Sequence, residues 1–430
     1  MPFLTDIDPR AEVKGSRDPL GLVPVWAAFG RKVVGNLSTV SDSVRGYTTL
    51  LLGYHLAREV NERAREDGEG TLEPFIRFEQ LAGYCRLRFL KDGDFRGVEK
   101  ARQRLEESAR VPLSAEPGYQ ILASQKTYGL WGLYSVPGRD SGLLDRREAL
   151  LTPAAEEFVE RNYLAALERR GFPGGQALVE VLRSRRRDVD LDGGQGKLGE
   201  ALAGLFKPKF SEAERAFYTH HLVHGGDEDR TGGLQKQLAA LLAALPWDEG
   251  FGRESLREVL RRARKEGLDA LAEALDRIDR LEAVIAPAGY AFGFLLARSG
   301  QEPGAVAREI AQSWGRRVPG VEAGRFAELG AEIEAAYGRE GAGARWVEVA
   351  RGFTEGRYEE ALRHLVDLNA EVMLARNGSA PWVRLTKGRL EVRYLDESGA
   401  LPAAEDLPHL WRNTYFLNSL HRVVATLGGG

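Results

Sequence analysis

Apolar residues recur at helical spacing almost without interruption between residues 152 and 317, and this pattern constrains the possible fold more than any other feature. Segments such as TPAAEEFVERNYLAALERR place apolar side chains three or four residues apart, and clusters of Gly, Pro or Asp separate successive segments. The longest segment runs from Ser255 to about Ile285 with loose heptad spacing, which favours a core helix of a bundle over a coiled coil. The sequence therefore predicts a mainly α, multi-helical protein.

Helical patterns also occur at both ends of the chain, in residues 18–37, 39–66, 75–90, 92–108 and 406–427. The stretch 380–399 differs, because apolar and polar residues alternate there with period two on both sides of the turn TKG. This alternation predicts a small C-terminal β-hairpin. We expect four regions: an N-terminal helical region (1–69), a separate module (70–165), a helical middle domain (166–317) and a C-terminal helical region with the hairpin (318–430).

Composition limits the function classes. The net charge of −3 over 430 residues gives no global basic excess, so any nucleic-acid binding needs a local basic patch. The single cysteine, Cys85, excludes a disulfide within the chain and a cysteine-based zinc site. The first residues carry acids without an apolar core, and the longest apolar run, residues 47–57, is too short to span a bilayer. We therefore expect a cytoplasmic protein without a membrane partner. Separately, the preference for arginine over lysine is typical of a GC-rich bacterial genome.

The stretch SGLLDRREALLTPAAEEFVERNY, residues 141–163, has the order of a wing followed by a helix. Gly142 to Leu144 would form the first strand, DRRE the tip, and Leu150 and Leu151 the return strand. Thr152 is suited to cap the next helix, with Pro153 at its first position. About twenty residues here are similar to the GL…LTP ending of bacterial winged-helix transcription regulators, although Ala155 stands where that family has glycine. The resemblance implies a winged-helix-like module in residues 70–165.

The residues before this stretch would supply a recognition helix, from Gln125 to about residue 136, ending before Pro137. A strand pair is the competing interpretation, because two glycines interrupt the segment. The N-terminal residues of a recognition helix meet base edges, while arginines at its end and on the wing pair with phosphates. The predicted DNA-contacting residues are Gln125, Lys126, Thr127, Tyr128, Arg139, Arg146 and Arg147. Alternatively, the module binds protein, and Tyr128, Trp131 and Tyr134 form its core.

Two other clusters have the residue types of metal sites. His220, His221 and His224 follow one another at the end of a helical pattern, with acids nearby, but the general-base glutamate of the HExxH motif is absent. The alternative is a helix C-terminus at which histidines are favourably placed. Residues 188–193, DVDLDG, resemble the start of a calcium loop, yet position 199 holds glycine where the ligating glutamate is expected. An acidic loop paired with the preceding RSRRR is the alternative.

Aromatic residues are concentrated near the C-terminus. Trp382, Tyr394 and Trp411 are the members that we predict at a partner interface, because aromatic residues are enriched in such surfaces. Tyr415 and Phe416 belong to the same group. The competing interpretation is that these rings pack into the core.

Together these patterns favour a non-enzymatic, DNA-binding or DNA-associated subunit of a bacterial multi-protein assembly. We expect double-stranded DNA and other protein subunits as partners and no cofactor. A winged helix followed by a long helical segment resembles, in layout, kleisin-type subunits of SMC complexes and some components of bacterial anti-phage systems. The alternatives are a metal-dependent enzyme that uses the histidine cluster, and a protein–protein scaffold without nucleic-acid contact.

Overall fold

The structure, a computed structural model, describes residues 18–63, 70–245, 250–376, 380–394 and 399–428. It is 63% helix and 5% strand, which confirms the mainly α prediction. The helices of the first part are α1 (Leu22–Gly30), α2 (Val44–Arg63), α3 (Leu72–Cys85), α4 (Val98–Glu107), α5 (Gln125–Tyr128), α6 (Leu130–Asp140), α7 (Pro153–Phe158), α8 (Ala165–Glu168), α9 (Gln176–Leu182), α10 (Gly196–Ala203), α11 (Glu212–Tyr218) and α12 (Leu234–Leu242).

The later helices are α13 (Arg253–Lys265), α14 (Asp269–Leu296), α15 (Pro303–Trp314), α16 (Ala323–Ala327), α17 (Gly330–Tyr337), α18 (Ala342–Glu355), α19 (Tyr358–Ala375) and α20 (Leu417–Gly428). Wider π-helical turns follow α3, α7 and α11, at Arg86–Leu90, Val159–Leu164 and Thr219–Val223. Short 3-10 turns lie at Pro117–Tyr119, Pro173–Gly175, Gly204–Phe206 and Leu407–His409. The strands are β1 (Arg110–Ser114), β2 (Arg186–Asp190), β3 (Val383–Thr386) and β4 (Arg389–Val392).

Two compact units divide the chain, and each is built from separated segments. Unit 1 comprises the described residues of 1–33 and 249–415, and unit 2 comprises those of 34–248 and 416–430. The units therefore cut across the four consecutive regions expected from the sequence. In unit 1, α14 packs against α1, α13 and α19, and α18 packs against α17 and α19. Trp314, Trp346 and Phe353 are buried in its core.

The long helix predicted from Ser255 to about Ile285 is two helices. Gly267 adopts a left-handed conformation (φ 69°) between α13 and α14, which glycine allows without steric cost. The prediction of one helix was wrong because the apolar periodicity continues across this turn. α14 then extends past the predicted end to Leu296 and includes Pro287.

In unit 2, α2 packs against α3, α6 and α9, and the contact buries Tyr47, Tyr54 and Phe75. Strand β1 pairs with β2 in antiparallel register, with Val111 opposite Val189. The sequence did not predict this sheet. Asp188 and Asp190, considered as calcium ligands, instead lie in β2, where the Asp190 carboxylate accepts the backbone N–H of Gly193 at 2.9 Å.

The predicted C-terminal hairpin is confirmed as β3 and β4. Lys387 and Gly388 both have positive φ (52° and 78°), as expected for the tight turn of a β-hairpin with a two-residue loop. Leu390 faces inward and is buried, while Arg384 and Glu391 pair across the exposed face at 2.7 Å. Among the described residues, no helix is both long and apolar enough to cross a bilayer.

Candidate nucleic-acid interface

The predicted recognition helix is broken at Gly129. This residue is extended (ψ −173°) between α5 and α6, and α6 continues through Pro137 to Asp140. Glu79 of α3 lies against the break: its carboxylate accepts the backbone N–H of Leu130 at 2.8 Å. A Cβ at Gly129 would lie 2.7 Å from Glu79 Oε2, so the close approach requires glycine. The prediction of one helix ending before Pro137 was wrong because a buried carboxylate caps a second helix here.

Gln125 is fully buried, unlike a residue that reads bases. Its amide nitrogen donates to Glu79 Oε2 at 2.8 Å and to the carbonyl of Ile76 at 3.2 Å. Its amide oxygen accepts from Gln80 Nε2 at 3.0 Å and from the backbone N–H of Ile121 at 3.2 Å. Because the protein itself satisfies this amide, Gln125 is withdrawn from the predicted DNA-contacting residues.

The next three predicted residues lie at the surface. Lys126, Thr127 and Tyr128 are exposed, and the Tyr128 side chain is 55% accessible. Lys126 forms no ion pair with any described residue. These three side chains therefore remain available for a ligand.

A short hairpin lies at the predicted wing position. Leu144 and Leu151 form an isolated antiparallel bridge, and the backbone N–H of Asp145 donates to the carbonyl of Leu150 at 2.9 Å. At the tip, the Asp145 carboxylate accepts the backbone N–H groups of Arg147 and Glu148, which lower its pKa. One bridge does not establish a wing, and the winged-helix module is not confirmed. We call residues 144–151 the 144–151 hairpin.

Two of the three arginines predicted for phosphate contact already have a partner within the chain. Arg146 pairs with Glu228, and Arg139 donates from Nε to the carbonyl of Asp145 at 3.1 Å. Only Arg147, among the described arginines predicted for phosphate contact, is exposed without an ion pair or a side-chain hydrogen bond. The hairpin thus presents less free positive charge than the sequence suggests.

His220 and His221 lie in the π-helical turn that follows α11, and His224 comes directly after this turn. The His220 Nε2 is 3.0 Å from Asp227 Oδ1, and the His221 Nδ1 donates to the carbonyl of Ser141 at 2.8 Å. Burial lowers the pKa of His221 and of His224. Within the ranges that the structure describes, no group of three or more His, Cys, Asp or Glu side chains is placed to hold a metal ion. The three-histidine site is therefore not assembled.

Trp382, Tyr394 and Trp411 are half-buried, and each packs against another aromatic ring. Trp382 meets Tyr394 edge-on with ring centroids 5.4 Å apart, and Trp411 lies 5.3 Å from Tyr415. Tyr415 is fully buried, as the core interpretation predicted. A partner interface at Trp382, Tyr394 and Trp411 remains a prediction.

Unit 2 also contains a cationic groove that the sequence did not reveal. Two clefts of about 640 and 630 Å³ adjoin, since both are lined by Gly204 and Lys207. We call them together the basic groove, after the exposed cations that line it: Arg161, Arg169, Arg170, Lys197, Lys207 and Lys209.

Arg45 holds one wall of the basic groove in place. This buried guanidinium donates to the carbonyls of Lys207 at 3.0 Å and Lys209 at 3.3 Å, and it lies 3.9 Å above the Phe210 ring. It also pairs with Glu214 at 2.5 Å. Arg45 thus binds the backbone carbonyls of Lys207 and Lys209, and both of these residues are exposed.

Free positive charge is concentrated in the basic groove. Arg169, Lys197, Lys207 and Lys209 are exposed, and none forms an ion pair with the residues that the structure describes. Arg170 donates to the carbonyl of Ala201 at 2.7 Å, and Arg161 has only an exposed partner, Glu157. Glu200 is the lining acid that opposes them, since Glu214 is already paired with Arg45.

Comparison of the chain with protein-family models, with curated proteins and with solved structures gives no match. The functional argument therefore depends on the geometry and charge of the chain itself.

Proposed function

We propose that the chain binds duplex DNA through the phosphate backbone and acts as a non-catalytic subunit of a bacterial multi-protein assembly. The observation that carries the proposal is the set of four exposed, unpaired cations in the basic groove, among the described residues: Arg169, Lys197, Lys207 and Lys209. A phosphate that meets such a cation displaces counterions and breaks no existing ion pair. Paired surface arginines, such as Arg146, would first have to leave their partners.

Backbone binding requires charge and shape but no base contact, so we expect little sequence preference. The exposed residues of α5 and the 144–151 hairpin form a second candidate contact. Lys126, Thr127 and Tyr128 are accessible there, together with Arg147. The groove and the hairpin make different predictions, so one experiment can distinguish them.

The test is fluorescence anisotropy with a duplex of about 30 base pairs over a salt series. The groove variant carries Arg169→Gln, Lys197→Gln, Lys207→Gln and Lys209→Gln. The hairpin variant carries Arg139→Ala, Arg146→Ala and Arg147→Ala. A matched control removes four other exposed cations, with Lys265→Gln, Arg308→Gln, Arg316→Gln and Arg317→Gln.

We expect the wild type to bind and to weaken with salt. For each phosphate that a variant no longer neutralises, the slope of log K against log salt should fall by about 0.9, so the groove variant should lose up to about 3.6 of the wild-type slope. The control should keep the full slope. The groove assignment fails if the hairpin variant alone shows the reduced slope, and the DNA proposal fails if the wild type does not bind at low salt.

A further inference from the structure

A second, smaller cleft lies in unit 2, where the start of α2 and helices α3 and α6 meet the loop before α4. Its volume is about 260 Å³. One of its lining residues is Glu79, an acidic residue that is only 6% exposed. A buried carboxylate that lines a cleft is a candidate recognition group for a small ligand.

Glu79 has capacity for further hydrogen bonds. Its Oε1 accepts from the backbone N–H of Leu130 and its Oε2 accepts from Gln125 Nε2, both at 2.8 Å. Each carboxylate oxygen has two lone pairs, so one acceptor site remains on each oxygen. A ligand with two N–H donors could fill both sites.

Two aromatic rings, Phe95 and Tyr134, line the cleft beside this carboxylate. Glycines make room for them: a Cβ at Gly83 would lie 2.7 Å from the Phe95 ring, and one at Gly46 would lie 2.8 Å from the Tyr134 ring. Aromatic rings attract organic cations through their quadrupole, in addition to the charge of a carboxylate.

The charges around the cleft are unevenly paired. Arg86 pairs with Asp92 at 2.7 Å, and Arg422 bridges Asp42 and Asp94 at 3.0 and 3.3 Å. Arg96 is an exposed lining cation that forms no ion pair among the described residues. With these pairs set aside, one lining acid, Glu79, and one lining cation, Arg96, have no ion pair among the described residues, so Glu79 is the anionic partner that remains for a cationic ligand.

We propose that this cleft binds a small organic cation that carries a guanidinium or primary ammonium group, with Glu79 as the anionic partner and Phe95 and Tyr134 beside the bound group. The site is distinct from the basic groove and does not depend on DNA binding. Guanidinium fits best, because its paired N–H groups match the two free acceptor sites of a carboxylate.

Binding should release a proton. Burial raises the pKa of Glu79 to about 7, although Gln125, Leu130 and Arg96 each favour the ionised form. The other ionisable groups that line the cleft are Tyr134, whose pKa burial raises, and Arg86, Asp42 and Asp94. Since the cation needs the ionised carboxylate, we expect its affinity to increase between pH 6 and pH 8.

The test is isothermal titration calorimetry of the full chain with methylguanidinium, with butylammonium and with N-methylurea as the neutral analogue of methylguanidinium. Glu79→Gln removes the charge and should weaken cation binding by roughly tenfold or more, the value of charge-assisted hydrogen bonds. Measured at pH 8, where most of Glu79 is ionised, Arg96→Ala removes an exposed like charge and should strengthen binding by about two- to fivefold. Because Arg96 is exposed, its variant tests the site even if Glu79→Gln does not fold.

Three results would overturn the proposal. These are no binding of either cation at pH 8, binding of N-methylurea as tight as that of methylguanidinium, and Arg96→Ala binding the cations more weakly than the wild type. The expected results are selective binding of the cations and opposite effects of the two variants.

Discussion

The carboxylate of Glu79 in α3 accepts a hydrogen bond from the backbone N–H of Leu130, the first residue of α6, at 2.8 Å. A negative charge at a helix N-terminus is favourable, and this contact alone would lower the pKa of the carboxyl group. Burial outweighs it, since the pKa of Glu79 is raised to about 7. The side chain that organises the α5–α6 junction is therefore ionisable near neutral pH.

The first prediction is that Glu79 makes stability depend on pH. The ordinary pKa of a glutamate is 4.5 and the pKa of Glu79 in the folded chain is about 7. Between these two pH values the carboxyl group is ionised in the unfolded chain but keeps its proton in the folded chain. The stability contribution is therefore full below pH 4.5 and is lost as the pH rises through 7. The corresponding decrease in the free energy of unfolding is about 3 kcal/mol. Urea unfolding at pH 5, 6, 7 and 8 measures it.

Glu79→Gln removes this titration. The free energy of unfolding of the variant, relative to that of the wild type, should increase by about 3 kcal/mol over this pH window. Glu107→Gln, at an exposed glutamate of α4, is the matched control and should keep a nearly constant difference from the wild type. A constant difference for Glu79→Gln as well would mean that Glu79 does not titrate as described.

Features that depend on neighbouring residues could be predicted from the sequence, and features that depend on long-range contacts could not. The β3–β4 turn and the Thr152 cap depend on neighbouring residues, so their patterns were sufficient. From the sequence alone, Glu79 is an ordinary polar residue of a helix. Its burial could not be predicted, because it depends on a segment 51 residues away. The charged sequence of β2 likewise gives no strand pattern, and only its pairing with β1 defines it.

The basic groove was hidden for the same reason. Its lysines and arginines are scattered between residues 161 and 209 and lie on several short elements, so no single sequence motif shows that they line one groove. Gln125 shows the opposite error: a polar residue at a helix start suggested a base contact, whereas the folded chain encloses it. Spacing identifies which residues share a helix face, but the partner of that face is set by tertiary packing.

The second prediction concerns the buried ion pair of Arg45 and Glu214. Arg45→Ala should lower the free energy of unfolding by about 3–5 kcal/mol, because it leaves Glu214 buried without its partner. Arg422→Ala is the control: Arg422 is exposed and pairs with Asp42 and Asp94, so its removal should cost at most about 1 kcal/mol. Urea unfolding at pH 7 measures the free energy of unfolding of both variants. Equal decreases for the two variants would contradict the claim that the buried ion pair contributes more than the exposed one.

The third prediction tests the cap of α7. The Thr152 hydroxyl accepts the backbone N–H of Ala155 at 3.4 Å and donates to the carbonyl of Gly142 at 2.8 Å. Thr152→Ala should cost about 1 kcal/mol of stability, because it removes both bonds. Thr152→Ser keeps the hydroxyl and should cost less. Thermal unfolding of the two variants decides, and an alanine variant as stable as the serine variant would show that the hydroxyl contributes nothing.

The fourth prediction concerns the close approach of α17 and α18 in unit 1. A Cβ at Gly343 would lie 2.0 Å from the carbonyl oxygen of Gly330, so a methyl group cannot enter unless the backbone of one helix moves. Gly343→Ala should therefore lower the free energy of unfolding by about 1–3 kcal/mol, the usual cost of overpacking.

Gly293 provides the matched control for this substitution. It lies inside α14, and a Cβ there would meet no atom within 4 Å. Gly293→Ala should therefore stabilise the chain by up to about 1 kcal/mol through helix propensity alone. Urea unfolding of both variants measures the two changes in the free energy of unfolding, which we expect to have opposite signs. If Gly343→Ala is as stable as the wild type, the helices are farther apart than the structure places them, because only a wider spacing leaves room for the methyl group.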